Sequence, residues 1–500
     1  MNSNEIFPLV PAGWRSTTLG ELAKESGGSI QTGPFGSQLH AADYVDEGIP
    51  SIMPKNIRID GVDTSDIARV SPEDVERLAK HKVLAGDVVY SRRGDVEKCC
   101  LITSGEEGWL CGTGCLRVRI PSSVLSPVFL HAYLCHPAVR EWIVRHAIGA
   151  TMPNLNTSIL SALPILVPPI DEAESVADIW ALVSRKISLN TQTNQALEQM
   201  AQALFKSWFV DFDPVFDNAL DSGFFEREFA GEGIPEPLAK RVAVRQAMRQ
   251  SLREAGGTDT AAPVIGGLPP ETRALFPDSF EKHPELGWIP KGWMVKSLAE
   301  QTKLIGGGTP KRSNEEFWGG GIPWFSVKDA PNNSDVFVLD TDEKITVAGL
   351  DGSSTRLLPV GTTIISARGT VGKLALVGRE MAMNQSCYGV LPADGLGLGV
   401  YFNYFSLKRI VYWLRQNTHG AVFDTITKQT FETVSSVVPP STIASEFERQ
   451  VTPWLDLVKS KLLENVSLSQ LRDTLLPKLL SGELTVFDVC QENQVESKVA

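Results

Sequence analysis

The chain has 500 residues, 42% of them apolar, which suggests three or four structural units; no run approaches the roughly 18 unbroken apolar residues of a membrane span. Seven cysteines, five of them (Cys99, Cys100, Cys111, Cys115 and Cys135) in one window, do not form the even, dispersed pattern of a secreted disulfide framework. With an N-terminus that lacks a basic region followed by an apolar core, they lead to the expectation of a reduced, cytoplasmic protein. The formal net charge of −12 arises chiefly in residues 171–290, with 11 basic and 19 acidic side chains. Residues 1–170 (15 and 18) and 291–440 (15 and 13) are near neutral, so charge alone does not select nucleic acid.

In chain order, residues 1–170 read as a first domain. An irregular Gly/Ser/Pro-rich segment precedes short β-type runs such as Asp87–Tyr90, then a helix-like stretch carrying Trp142. Pro168-Pro169 ends the domain, because proline cannot continue a ladder. Residues 171–212 read as a long helix. Val176, Trp180, Val183, Ile187, Asn190, Asn194, Leu197, Ala201, Leu204 and Trp208 alternate spacings of four and three, which is a heptad seam. Its two central polar positions, Asn190 and Asn194, cost stability but can fix register and partner.

Residues 213–289 form a connecting region, with a short arginine-bearing helix at Ala239–Glu254 and a flexible linker at Ala255–Pro270. A second domain occupies 290–440 and ends at Pro439-Pro440. A C-terminal helix follows at 441–485, on Phe447, Val451, Trp454, Val458, Leu462, Asn465, Leu468, Leu471, Leu475 and Leu479, then a polar tail at 486–500. The two helices are expected to pair antiparallel; the alternative is that each packs only on its own domain.

The halves repeat with a period near 273 residues. Pro11-Ala-Gly-Trp14 returns as Pro290-Lys-Gly-Trp293, and Gly48-Ile-Pro50 as Gly321-Ile-Pro323. Gly86 with Arg93-Gly94 returns as Gly361 with Arg368-Gly369, Trp142 as Trp413, and Gly149-Ala150 as Gly420-Ala421. The expected architecture is therefore α+β: two similar domains, two long coiled-coil-like antiparallel helices, and an internal pseudo-twofold repeat.

This plan resembles the specificity subunit of type I restriction-modification enzymes. The resemblance is carried by Leu204-Phe-Lys-Ser-Trp-Phe-Val-Asp-Phe-Asp-Pro-Val215, Leu471-Arg-Asp-Thr-Leu-Leu-Pro-Lys-Leu-Leu-Ser-Gly-Glu483 and Leu275-Phe-Pro-Asp278 through Trp293. The glycine-rich phrases Gln31–Ser37 and Gly306–Pro310 with Ile322-Pro-Trp324 add to it. It implies two target recognition domains, each reading one half of a split sequence in double-stranded DNA. It also implies docking of two modification subunits, which hold S-adenosylmethionine, and, in restriction complexes, of two restriction subunits using ATP and Mg. No cofactor and no membrane association are expected for this chain itself. The helices would set the gap between half-sites, in keeping with phage defence.

Base reading favours Arg for guanine and Asn or Gln for adenine, and cations for phosphate. The candidate DNA contacts are Lys55, Asn56, Arg58, Arg92, Arg93, Lys98, Asn154 and Asn156 in the first domain. In the second they are Lys311, Arg312, Lys328, Arg368, Lys373, Asn384, Gln385 and Lys428. Arg93 and Arg368 are repeat-equivalent, which points to a shared role such as phosphate positioning. The candidate residues for helix packing or partner docking are Trp180, Asn190, Asn194, Leu197, Phe205, Trp208, Phe209, Trp454, Leu471, Leu475 and Leu479.

A self-contained methyltransferase or nuclease is the disfavoured alternative. Phe229-Ala-Gly-Glu-Gly233 has the letters of a methyltransferase loop but follows charged residues. Gly369-Thr-Val-Gly-Lys373 lacks the first glycine and the Ser/Thr of a phosphate loop. Asp335 with Asp342-Glu-Lys344 has the letters of a nuclease site in a polar loop. Cys111 and Cys115 with Cys135-His136 match no usual zinc spacing, and buried thiols are expected there.

Overall fold

The computed structural model describes residues 6–7, 10–35, 38–59, 61–149, 152–254, 268–331, 336–417, 425–481 and 484. Most of the expected linker, the tail and Gly420-Ala421 lie outside the described residues. The chain divides into two units, Met1–Leu189 with Asn465–Ala500, and Asn190–Glu464.

In the first unit, strand Arg15–Thr18 pairs antiparallel with Pro164–Val167, so the two ends of the recognition domain are tied together. Pro11-Ala-Gly-Trp14 delivers the chain to that strand as a tight turn: Gly13 takes a φ of 83° and the Trp14 amide donates to the Pro11 carbonyl at 3.1 Å. A left-handed φ carries no Cβ penalty at glycine. Thr18 then starts helix Leu19–Ser26 through a reciprocal capping box with Glu21. An antiparallel sheet follows in the order Ser29–Thr32, Cys115–Arg119, Val88–Ser91, Cys99–Leu101. A smaller sheet joins Leu110–Cys111, Ile49–Ile52, Ala68–Val70 and Tyr44–Val45. Helices Pro127–Leu134 and Pro137–His146 close the larger sheet, burying Phe129, Tyr133 and Trp142 against Tyr90, Leu116 and Val118.

The second unit repeats this plan with local differences. Strand Met294–Ser297 pairs with Ser435–Val438, and a Ser297/Glu300 capping box starts helix Leu298–Gln301. The Gly292 turn has φ 80°, and the Trp293 amide donates to the Pro290 carbonyl at 3.2 Å. The main sheet runs Thr302–Gly306, Cys387–Pro392, Thr363–Ser366, Leu374–Val377, with Phe337–Val338 added parallel at its edge. Trp318–Phe325, Lys344–Ile345 and Ala382–Met383 make the smaller sheet, with a bulge between Trp318 and Ile322. One helix, Val400–Asn417, stands where the first unit has two.

Each domain exits into a long helix, Ile170–Phe209 (40 residues) and Ser441–Ser481 (41 residues). At 1.5 Å per residue each is roughly 60 Å long. Their antiparallel pairing is read within the units. In the second unit Asn190 Nδ2 donates to Glu464 Oε2 (2.9 Å), Lys461 Nζ donates to Asn190 Oδ1 (3.0 Å), and Phe205 and Trp208 meet Phe447 edge-on. In the first unit the Arg472 guanidinium sits 5.0 Å from the Trp180 ring, and Leu475 and Leu479 join the domain's core.

The connecting region is more ordered than its polar sequence suggests. Helix Glu236–Glu254 runs beside Asp213–Ser222, and Arg241, Arg245 and Arg249 pair with Asp213, Asp217 and Asp221 at matched four-residue steps. These three arginines are thus committed within the unit. Phe216, Phe224, Phe225 and Phe280 form an aromatic layer beneath.

Candidate nucleic-acid interface

In both domains the arginine turn lies between two antiparallel strands of the main sheet. In the first domain Val88–Ser91 runs into Arg92-Arg93-Gly94, where Gly94 takes φ 75° and turns the chain sharply. That turn is tied to the loop following the second helix: Leu155 N donates to Arg92 O (2.9 Å), Gly94 N to Pro153 O (3.2 Å), and Arg93 forms a bridge with Asn154. In the second domain Thr363–Ser366 runs into Ala367-Arg368-Gly369, with Gly369 at φ 76°. Arg368 bridges Thr425, and Ile426 N donates to Ala367 O at 3.0 Å. The repeated arginine is therefore held by the same backbone device in both copies.

The side chains at these turns are open to a ligand. Arg93 and Arg368 are exposed, and neither they nor Arg92 form an ion pair among the described residues. Arg92 Nε and Asn154 Oδ1 are buried polar atoms with no partner among the described residues; such groups are costly unless satisfied by water or ligand. In the second domain Lys328, Arg368 and Lys373 line one cleft with Val327, Gly369, Thr370 and Ser386, enclosing about 480 Å³. None of the three cations has a salt-bridge partner among the described residues. Three cations without a salt bridge among the described residues around a glycine turn are an arrangement suited to an anion. Asn384 and Gln385 occupy the turn beside Ser386; Asn384 Oδ1 accepts from Ser386 N (3.0 Å), and Gln385 accepts from the Thr309 hydroxyl.

Other candidates are engaged elsewhere. Asn56 is a correction: it is 2% exposed, its Oδ1 accepts from Met53 N (3.0 Å) and its Nδ2 donates to Asp63 O (2.9 Å), so it holds a turn and offers nothing to a base edge. Asn156 caps helix Thr157–Ala162 by accepting from Ile159 N at 2.8 Å. Lys55, Arg58 and Lys98 pair with Asp66, Asp63 and Asp95 on the surface, where such pairs are weak and exchangeable. Arg312 is held more firmly, paired with Glu343 and stacked 4.0 Å from the Trp318 ring centre. Lys311 and Lys428 are exposed.

Sequence reasoning missed Val327, Thr370 and Ser386 in the cleft, and the exposed apolar pair Ile148 and Met152 on the loop that carries Asn154. Small polar or apolar residues carry no local mark of such a role. Only the pairing of that loop with the arginine turn reveals it.

The helix candidates divide by burial. Trp180, Asn190, Asn194, Phe205, Trp208, Phe209 and Leu479 are buried, Leu197, Trp454 and Leu475 partly so, and Leu471 is exposed. Phe205, Trp208 and Phe209 fill the second unit's core around Phe402 and Phe447, so they serve helix packing and present no docking surface. Asn194 is fully buried, and neither of its amide atoms has a partner among the described residues.

The enzymatic motifs lose their context. Gly369–Lys373 is the turn of a β-hairpin, not a strand-to-helix phosphate loop. Phe229–Gly233 follows helix Phe224–Glu228 in a turn. Glu343 and Lys344 are taken by Arg312 and Asp340, and Asp335 lies outside the described residues. Cys111 and Cys115 lie in an apolar cluster, where burial pushes the Cys111 thiol up to about 12. His136 caps its helix by accepting from Ala138 N.

Among the described residues no helix is long and apolar enough to cross a membrane. The family described as type I restriction modification DNA specificity domain matches residues 12–199 and 290–450. The type I restriction enzyme HindI specificity subunit of Haemophilus influenzae is 27% identical over 439 residues, spanning 82% of this chain and 89% of the relative. The putative MjaX specificity subunit of Methanocaldococcus jannaschii is 20% identical and spans 88% of each. A crystal structure of the S subunit of M. genitalium covers 94% of this chain and 96% of its own, at 14% identity and a TM-score of 0.47. With the family match covering both recognition domains, the chain belongs to the type I restriction-modification DNA specificity subunits.

Proposed function

We propose that this chain carries no catalytic centre of its own and reads a split DNA sequence, one half per recognition domain, for partner subunits that methylate or cleave. The observation that carries the reading is the repeated arginine turn, Arg93 pinned to Asn154 and Arg368 to Thr425. A repeated, unpaired cation on a fixed backbone suits a repeated ligand group, and the sugar-phosphate backbone supplies one at every half-site. The cations Lys55 and Lys98 recur as Lys328 and Lys373, whereas other residues around the turn differ between copies: Arg92, Asp95 and Glu97 in one stand where the other has Ala367, Thr370 and Gly372. Shared positioning with unshared side chains is what reading two different half-sites requires.

The partners are two modification subunits, holding S-adenosylmethionine, and in restriction complexes two restriction subunits using ATP and Mg. Exposed apolar residues on the long helices, among them Leu182 and Leu471, give such partners a surface. The test is selection of random double-stranded DNA by the chain assembled with its modification subunit. Recovery of two fixed half-sites separated by a fixed gap is expected. Enrichment of no sequence would contradict the reading.

A further inference from the structure

The first domain holds a buried polar cluster apart from the candidate DNA contacts. Cys99 opens the strand at the edge of the main sheet, and His131 and Cys135, four residues apart, lie on one face of helix Pro127–Leu134 and at its end. All three are buried, at 3%, 4% and 7% exposure. Cys99 Sγ lies 3.7 Å from Cys135 Sγ, Cys135 Sγ lies 3.3 Å from His131 Nε2, and all three atoms fall within 4.8 Å of one another.

We propose that Cys99, His131 and Cys135 form a buried binding site for one zinc ion. A tetrahedral zinc with bonds of about 2.3 Å to sulfur and about 2.0 Å to nitrogen separates two sulfurs by about 3.8 Å and a sulfur from a nitrogen by about 3.5 Å. Two of the cluster's three edges stand near those lengths already and the third is within 4.8 Å, so binding requires only a modest rearrangement. Binding releases the two thiol protons to solvent, and two thiolates then balance the dication around a neutral imidazole. The resulting centre has no net charge, which limits the cost of burying it. The Tyr90 hydroxyl, which donates to the Leu134 carbonyl at 3.5 Å, lies beside Cys99.

The repeat supplies an internal comparison. The corresponding strand, Leu374–Val377, and helix, Val400–Asn417, contain no cysteine and no histidine, and there Leu374 packs against the apolar cluster that includes Phe402. The fold thus closes without ligands at this place, so the cluster is an addition particular to the first domain. His131 meets the Trp180 ring edge-on at 6.2 Å, so a metal held there would fix the sheet edge and its helix beneath the start of the long helix.

The full chain, purified with its modification subunit, should carry about one zinc per chain that the subunit alone does not account for. Stripped by chelator and given cobalt(II) alone, it should develop thiolate-to-cobalt charge-transfer absorption and the visible bands of a tetrahedral centre. Zinc alone should then raise its melting temperature. Cys99→Ser and Cys135→Ser should lose the cobalt spectrum, while Cys387→Ser in the second domain should keep it. Because the wild-type stoichiometry and spectrum are read without any variant, misfolding of a serine variant leaves the test intact. Protein that is metal-free as isolated and takes up no cobalt would overturn the site. So would a Cys99–Cys135 disulfide, seen as a loss of two hydrogens in the intact mass.

Discussion

Arg93 and Arg368 act, on this account, on phosphate rather than on bases. Arg368→Ala should weaken binding of cognate and non-cognate DNA alike and reduce the slope of log affinity against log salt by about 0.9. A titration at several salt concentrations reads this directly; loss confined to one sequence would assign Arg368 to base reading. Asn56→Ala should behave differently, costing stability through its two lost turn bonds. A second residue sets a pH dependence. Glu448 accepts from Phe402 N at 2.7 Å at the start of helix Val400–Asn417, and burial pushes its pKa up to about 7 against those hydrogen bonds. The folded state then holds the proton more tightly than the unfolded state, whose value is near 4.5. That contribution is complete below pH 4.5 and is lost as pH rises through 7. Urea midpoints should reveal a decline between about pH 5 and 8 that Glu448→Gln flattens; an unchanged slope would place the proton elsewhere.

The long helices carry two asparagines in one seam with opposite energetics. Asn190 is bonded to Lys461 and Glu464, whereas Asn194 is buried without a partner among the described residues. Removing an unsatisfied buried amide relieves a cost of about 1–3 kcal/mol. Asn194→Leu should therefore raise the thermal midpoint, and Asn190→Leu should lower it. If both lower it, Asn194 is satisfied by water. The seam was legible in the sequence because its spacing of four and three is a property of any helix pair. Which asparagine was satisfied was not, since that depends on what the opposing helix presents. Asn56 misled for a related reason: a polar residue in a loop reads as available until the turn that consumes it is seen. The Cys99–His131–Cys135 cluster was missed because strand and helix bring together residues far apart in the chain, while the nearer Cys111, Cys115 and His136 face other neighbours.

Across the molecule, the duplication was the most legible feature. Its landmarks are chiefly glycines at left-handed turns and prolines that end domains, positions where backbone geometry admits few substitutes; of the paired tryptophans, Trp142 is buried while its counterpart Trp413 is 54% exposed. The sheets themselves were legible only in fragments, because strands of a few residues carry too little alternation to show a period. Two domains of one plan with different loops imply independent half-sites. Exchanging residues 1–170 for the recognition domain of a relative should therefore change one half of the target and leave the other intact. The most direct measurement is methylome sequencing of cells carrying this chain with its modification subunit, beside cells lacking only this chain. The account predicts a split methylated sequence that disappears with the chain. Identical methylation in both, with the modification subunit expressed, would contradict it.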